Sequence, residues 1–237
     1  MSWYSKIKSK IEKKDDSPEL KRGQVKQILI SGFKRELPEF DFLEYRNGCY
    51  TFRDTRMING QDINEYLHVI FSLKNRNFSC SVASRINKNY LGSNSYNTGL
   101  INPHIDLLVL KKGTGVIPAD ESYYFHNGQV KTTTEVIEQI VNDFKEFGKP
   151  FLQKQAKQFE KSDLLKAGFD FIENLEIDKS KLNDELKKDI TSAGRFTSNT
   201  YLKLKAELQS VNGIDRETRK NIPKLTYELL EFYCGYK

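Results

Sequence analysis

Between Phe40 and Lys131, apolar and polar residues alternate with a period of two; on either side, apolar residues recur every three to four positions. The pattern predicts strands in the middle and helices around them. Residues 64–74 give the cleanest alternation, with Leu67, Val69, Phe71 and Leu73 on one side and His68, Ser72 and Lys74 on the other. Asn75-Arg76-Asn77 turns the chain, and Phe78, Cys80 and Val82 continue an apolar face against Ser79, Ser81 and Ser84. One buried and one wet face is the expectation for an antiparallel meander.

Three Asn-Gly pairs punctuate this region, at Asn47-Gly48, Asn59-Gly60 and Asn127-Gly128. Asn-Gly supplies the positive φ angles of a tight type I′ hairpin turn. The first predicts a hairpin of strands 41–46 and 49–55, and the second falls in a slightly longer connection. The third predicts a hairpin between 122–126 and 129–131. Ile105–Leu110 reads as a buried strand, with Asp106 inside it needing a partner. Residues 87–103 form a long loop rich in Asn, Gly and Ser, a length that often signals function. Residues 111–119 read as another loop.

The flanks read as helices. Trp3, Ile7 and Ile11 mark a short amphipathic helix over 3–14, and Ser17-Pro18 starts a second that ends near Gly32. Thr132-Thr133-Thr134-Glu135 has capping-box spacing before a stripe of Val136, Ile140, Val141, Phe144 and Phe147. Gly148-Lys149-Pro150 interrupts that stripe. Ser162-Asp163 caps the next helix, Leu182 and Leu186 mark another, and Leu204 and Leu208 a further one. Asp215 caps a last helix through Ile222, Leu225, Leu229, Phe232 and Tyr233. The predicted fold is α+β: an antiparallel β-meander sheet flanked by helices, then an all-helical C-terminal region. The predicted division is a basic amphipathic helix over 1–16, an α+β domain over 17–160 and a helical region over 161–237.

Composition narrows the class. Of 237 residues, 38% are hydrophobic and 12% aromatic, too many for a disordered chain. No apolar run approaches the ~18 residues of a membrane-spanning helix. Most of the net charge of +6 sits in the first 14 residues, where Lys6, Lys8, Lys10, Lys13 and Lys14 face only Glu12. The body is close to balanced, so a broad basic face is not required. That N-terminus has no apolar stretch, and Cys49, Cys80 and Cys234 are few and far apart. Both features point to free thiols and a cytoplasmic protein.

The chemistry-bearing residues are sparse. His68, His104 and His126 show no HxH, HxxE or HExxH spacing, so no metal site is expected. The chain has no GxSxG elbow, and Gly113-Thr114-Gly115 lacks the Lys-Ser/Thr of a phosphate loop. No catalytic residue and no cofactor are therefore expected. Tyr90, Asn94 and Tyr96 in the long loop, with Tyr123 and Tyr124, form the predicted recognition surface, because tyrosine adds contact area at low entropic cost. The partner this implies is another protein.

The segment from Gly32-Phe33-Lys34-Arg35 to about Gln155 resembles the bacterial domain-of-unknown-function 4304 family. The likeness lies in a leading helix, the GFKRE start, the strand CYTFRD, the pair EYLHVIFSLKNRNFSCSVAS, and a long helix after YYFHNGQVKTTTEVIEQI. It covers about half the chain. The glutamine-serine feature of the family's middle strand is replaced here by Phe71-Ser72-Leu73-Lys74. The resemblance implies a bacterial protein with no catalytic residues to carry over, of an immunity or defence type that binds a toxin or effector. The alternative is a nucleic-acid-associated protein or a cryptic metal-dependent nuclease. It rests on the basic N-terminus and on Arg216, Arg219, Lys220 and Lys224.

Overall fold

The computed structural model describes residues 20–235 except 47, 73, 87–104, 114–116, 119–120 and 192–197. Its elements, in chain order, are α1 (Arg22–Glu36), β1 (Asp41–Arg46), β2 (Cys49–Ile58), β3 (Gln61–Ser72), β4 (Asn77–Arg85), β5 (Ile105–Asp106), α2 (Leu107–Lys112), β6 (Tyr124–Phe125), α3 (Val130–Asp143), a π-helical turn (Phe144–Gly148), α4 (Lys149–Lys161), α5 (Leu164–Glu173), α6 (Lys179–Thr191), α7 (Asn199–Ser210) and α8 (Arg216–Tyr233). The sheet has six strands in the order β1-β2-β3-β4-β5, with β6 also on β4. β1 pairs antiparallel with β2, and β4 with both β5 and β6. The fold is α+β, with an antiparallel sheet and a helical C-terminal region. The helix over 3–14 and the loop over 87–103 lie outside the described residues.

The chain forms two compact units that are discontinuous in sequence. Among the described residues, the first comprises those up to 54 together with 66–82 and 105–151; the second, 55–65, 83–86 and those from 152 onward. In the first, Val25, Leu29 and Phe33 of α1 are fully buried, and Phe33 stacks on Phe52 of β2 at 4.5 Å between ring centroids. Gly32 lies within α1, not at its end, and a Cβ there would be at ordinary contact distance, 3.4 Å, from Ile137 of α3. The helix also starts later than Ser17-Pro18 suggests, with Lys21 at the N-cap.

Leu67, Val69, Phe71, Phe78, Cys80 and Val82 are all buried, and Phe71 meets Phe78 at 5.0 Å. The opposite side of β3 is not wet. Tyr66 and His68 are fully buried too, as expected for the middle strand of the sheet. His68 keeps a polar partner there, its Nδ1 lying 3.2 Å from the Thr51 hydroxyl. Polar identity in β3 therefore marks a hydrogen-bonded interior and not a solvated face.

Four other elements depart from expectation for local reasons. Asn59-Gly60 is a two-residue turn with φ of 50° and 80°, tighter than the connection expected. Ile105–Leu110 is mostly helix: Asp106 is the N-cap of α2, accepting the Leu108 N–H at 2.8 Å, and Gly113 closes it with φ 65°. Asn127-Gly128 leads into a helix and not into a second hairpin strand, and Gln129 is the N-cap of α3, so the Thr132–Glu135 spacing lies inside the helix. Gly148-Lys149-Pro150 does not break the helix. The chain passes through a π turn in which the Lys149 N–H donates to the Phe144 carbonyl, and Pro150, which has no N–H to give, follows at once.

The second unit is built around one apolar cluster. It gathers Ile58, Ile63 and Ile86 with leucines of α5 to α8, among them Leu164, Leu182, Leu204 and Leu229. Gly168 of α5 allows this closeness, since a Cβ there would meet Leu229 Cδ1 at 2.5 Å. The Asp215 cap of α8 is present, its carboxylate accepting the Thr218 N–H at 2.7 Å.

Candidate functional site

The site is assembled where β4 ends within the second unit. Beyond Arg85 the ladder stops, and the next backbone groups need other partners. Side chains supply them. The Asn64 amide donates to the Ile86 carbonyl at 3.1 Å, and the Ile86 N–H donates to Glu228 Oε2 at 3.1 Å. Glu228 also pairs with Arg85, Nε to Oε1 at 3.6 Å, and these side chains are 4% and 5% exposed.

α8 presents the rest. Asn221, Lys224, Leu225 and Glu228 recur at offsets of three, four and seven, which puts them on one helix face. Pro223 sits inside this helix, and its carbonyl accepts the Tyr201 hydroxyl at 3.1 Å. The face borders a pocket with about 30 Å³ of internal space. Its apolar wall is Ile63, Ile86, Phe159, Leu164 and Leu225; its polar lining is Ser84, Arg85, Gln155, Thr218, Asn221, Lys224 and Glu228. Ser84 Oγ is buried and has no hydrogen-bond partner among the described residues.

The electrostatics follow from burial. Desolvation pulls the Lys224 ammonium down to about 7; the Glu228 carboxylate opposes this and the Arg85 guanidinium adds to it. Glu231, one turn further along α8, is pushed up to about 7, again mainly by burial. A neutral-range amine beside a buried guanidinium and an apolar wall is a setting that binds or titrates, and such settings are enriched at functional sites.

The residues predicted from sequence fall elsewhere. Tyr90, Asn94, Tyr96 and His104 lie outside the described residues. Tyr123 is 40% exposed, its ring edge-on to Phe125 at 6.1 Å. Tyr124 is 3% exposed, and its hydroxyl donates to Asp143 Oδ2 at 3.0 Å; Asp143 also accepts from Lys111 at 2.8 Å. Tyr124 therefore belongs to a buried network and offers no contact surface. His126 is buried beside Phe71 and Phe78, and its Nδ1 accepts the Gly128 N–H at 3.0 Å. Burial pushes this imidazole down to about 4. The Cys80 thiol is pushed well up by burial, which leaves it a poor nucleophile. Among the described residues, no three His, Cys, Asp or Glu side chains are grouped to hold a metal.

Sequence reasoning missed Ser84, Arg85 and Glu228, and placed Lys224 on a basic surface. A signal was present. Asn221, Lys224, Glu228 and Glu231 put a polar seam at helical spacing on a helix whose Ile222, Leu225 and Leu229 are buried. Comparison with known proteins adds no relative: no protein-family model, no curated protein and no solved structure matches the chain.

Proposed function

We propose that the chain is a binding protein and that the pocket at the end of β4 is its ligand site. The carrying observation is the convergence of Arg85, Lys224 and Glu228 with the orphan Ser84 hydroxyl on one apolar-walled pocket. Buried charges are expensive, and a hydrophobic replacement of similar volume is often at least as stable. The Arg85–Glu228 pair has a structural use, tying down Ile86. The Ser84 hydroxyl has no such use among the described residues, and it and Lys224 line the same pocket. A ligand-observed NMR screen of small neutral, anionic and cationic fragments against the full chain tests this. Fragments should bind, and Asn221→Trp, which fills the pocket from a partly exposed position, should abolish their binding. Binding that Asn221→Trp leaves intact refutes the pocket as the site.

A second reading, a protein partner of the immunity or defence type, is favoured by Tyr123, which presents its ring to solvent beside Phe125. Site-specific photo-crosslinking from position 123 in a native host tests it. A single discrete crosslinked partner supports it; crosslinks no different from those of a control position, such as exposed Met57, refute it.

A further inference from the structure

We infer that Asn59 is a modification site, a place where this chain undergoes spontaneous deamidation. Asparagine followed by glycine is the pair most open to this reaction, because glycine has no side chain to shield its backbone nitrogen. The chain has three such pairs, and Asn47 lies outside the described residues. The other two sit in opposite environments. Asn59 and Gly60 are both exposed, in the two-residue turn between β2 and β3, and a Cβ on Gly60 would meet nothing within 4 Å. The Asn59 side chain has one hydrogen bond among the described residues, Nδ2 donating to the Phe159 carbonyl at 3.2 Å. Asn127 is clamped instead. Its Oδ1 accepts from the Gln129 N–H at 2.9 Å and from the Thr132 hydroxyl, and its Nδ2 donates to Gln129 Oε1 at 2.8 Å. The nitrogen that would have to attack, on buried Gly128, donates its N–H to His126 Nδ1 at 3.0 Å.

The reaction balances with water as its co-reactant. The Gly60 nitrogen bonds to Asn59 Cγ and gives up its proton, the Cγ–Nδ2 bond breaks, and ammonia leaves behind a cyclic imide. Water then opens the imide. Opening at Cγ puts aspartate in place of the asparagine; opening at the backbone carbonyl leaves an isoaspartyl link. Both products carry a new carboxylate, and neither keeps the amide N–H. The bond to the Phe159 carbonyl is therefore lost, because a carboxylate has no proton to donate. The isoaspartyl route also adds a methylene to the backbone of a turn whose two residues hold φ of 50° and 80° and join β2 to β3. Phe159 also walls the pocket, so the tether that deamidation breaks and the pocket share a residue.

Peptide mapping by mass spectrometry of the full chain, aged at mildly alkaline pH with and without denaturing urea, tests the inference. In the folded protein Asn59 should convert at least about tenfold faster than Asn127, whose side-chain bonds and Gly128 N–H must first be released. In urea the two rates should converge, since both pairs are Asn-Gly and only the fold separates them. Equal rates in the folded chain, faster conversion of Asn127, no conversion of Asn59, or a difference that survives in urea overturns it.

Discussion

Glu228 does two things at once: its Oε2 accepts the Ile86 N–H at 3.1 Å while its Oε1 lies 3.6 Å from Arg85 Nε. One buried carboxylate thus closes the backbone beyond β4 and balances a buried guanidinium. Removing it takes the acceptor from the Ile86 N–H and a balancing carboxylate from the buried guanidinium. Glu228→Ala should lower unfolding stability by about 3–5 kcal/mol, the usual cost of breaking a buried pair from one side. Glu228→Gln keeps an oxygen for Ile86 and should cost less. The double variant Arg85→Met/Glu228→Leu should recover much of the loss, because it removes the orphaned charge. Urea unfolding of the three variants checks this ordering.

Two groups of α8 give stability opposite slopes on either side of neutrality. Glu231 has a folded value raised from 4.5 to about 7, so the folded state holds more protons between those limits and stability falls as pH rises through them. Lys224 has a folded value lowered from 10.5 to about 7, so the unfolded state holds more protons above 7 and stability rises from there toward 10.5. Compared with wild type, Glu231→Gln should lose the falling arm and Lys224→Met the rising arm. Chemical denaturation at a series of pH values reads both; parallel wild-type and variant profiles would show these groups to be unperturbed.

His126 acts in the acid range with the sign opposite to that of Glu231. Its folded value is lowered from 6.5 to about 4, so the unfolded chain takes up the proton first and stability drains away as pH falls from about 6.5 toward 4. His126→Gln, which can still accept the Gly128 N–H, should lack this slope. The same pH series measures it, and a slope unchanged in the variant would assign it to another group.

Gly148 is where the long helix adjusts to Pro150. A Cβ there would lie 2.6 Å from Phe144 Cδ2 and 3.2 Å from Val82 Cγ1, and Phe144 and Val82 are fully buried. Alanine normally gains about 1 kcal/mol over glycine inside a helix. Here the ring and the valine have no room to retreat, so Gly148→Ala should instead lose about 1–3 kcal/mol, as overpacking does. Thermal unfolding decides the sign.

Much of the fold was legible because it rests on local rules. The alternation through Leu67, Val69 and Phe71, the hairpin of β1 and β2 and the Asp215 cap are visible in the sequence and present in the structure. The misreadings share a cause. Over Ile105–Leu110 a short apolar run suits a strand or a helix equally, and only Asp106 acting on the Leu108 N–H decides. Likewise His68 reads as solvated until Thr51, 17 residues away, is found beside it. The pocket was the least legible part. Ser84–Ile86 and Asn221–Glu228 are more than 130 positions apart, and neither segment carries a motif. Half of the signal lay in α8 as a polar seam; its partner at the end of β4 had no pattern that pointed to it.

The central claim is that this pocket takes a ligand, and amide chemical-shift mapping on the full chain tests it most directly. On addition of a fragment that the NMR screen finds to bind, saturable shifts should appear first at Ile86, whose N–H reports on Glu228, and at Thr218, Asn221 and Leu225 around the pocket. Asn221→Trp should abolish them. Shifts that do not saturate, that lie away from these residues, or that survive in Asn221→Trp would contradict the account.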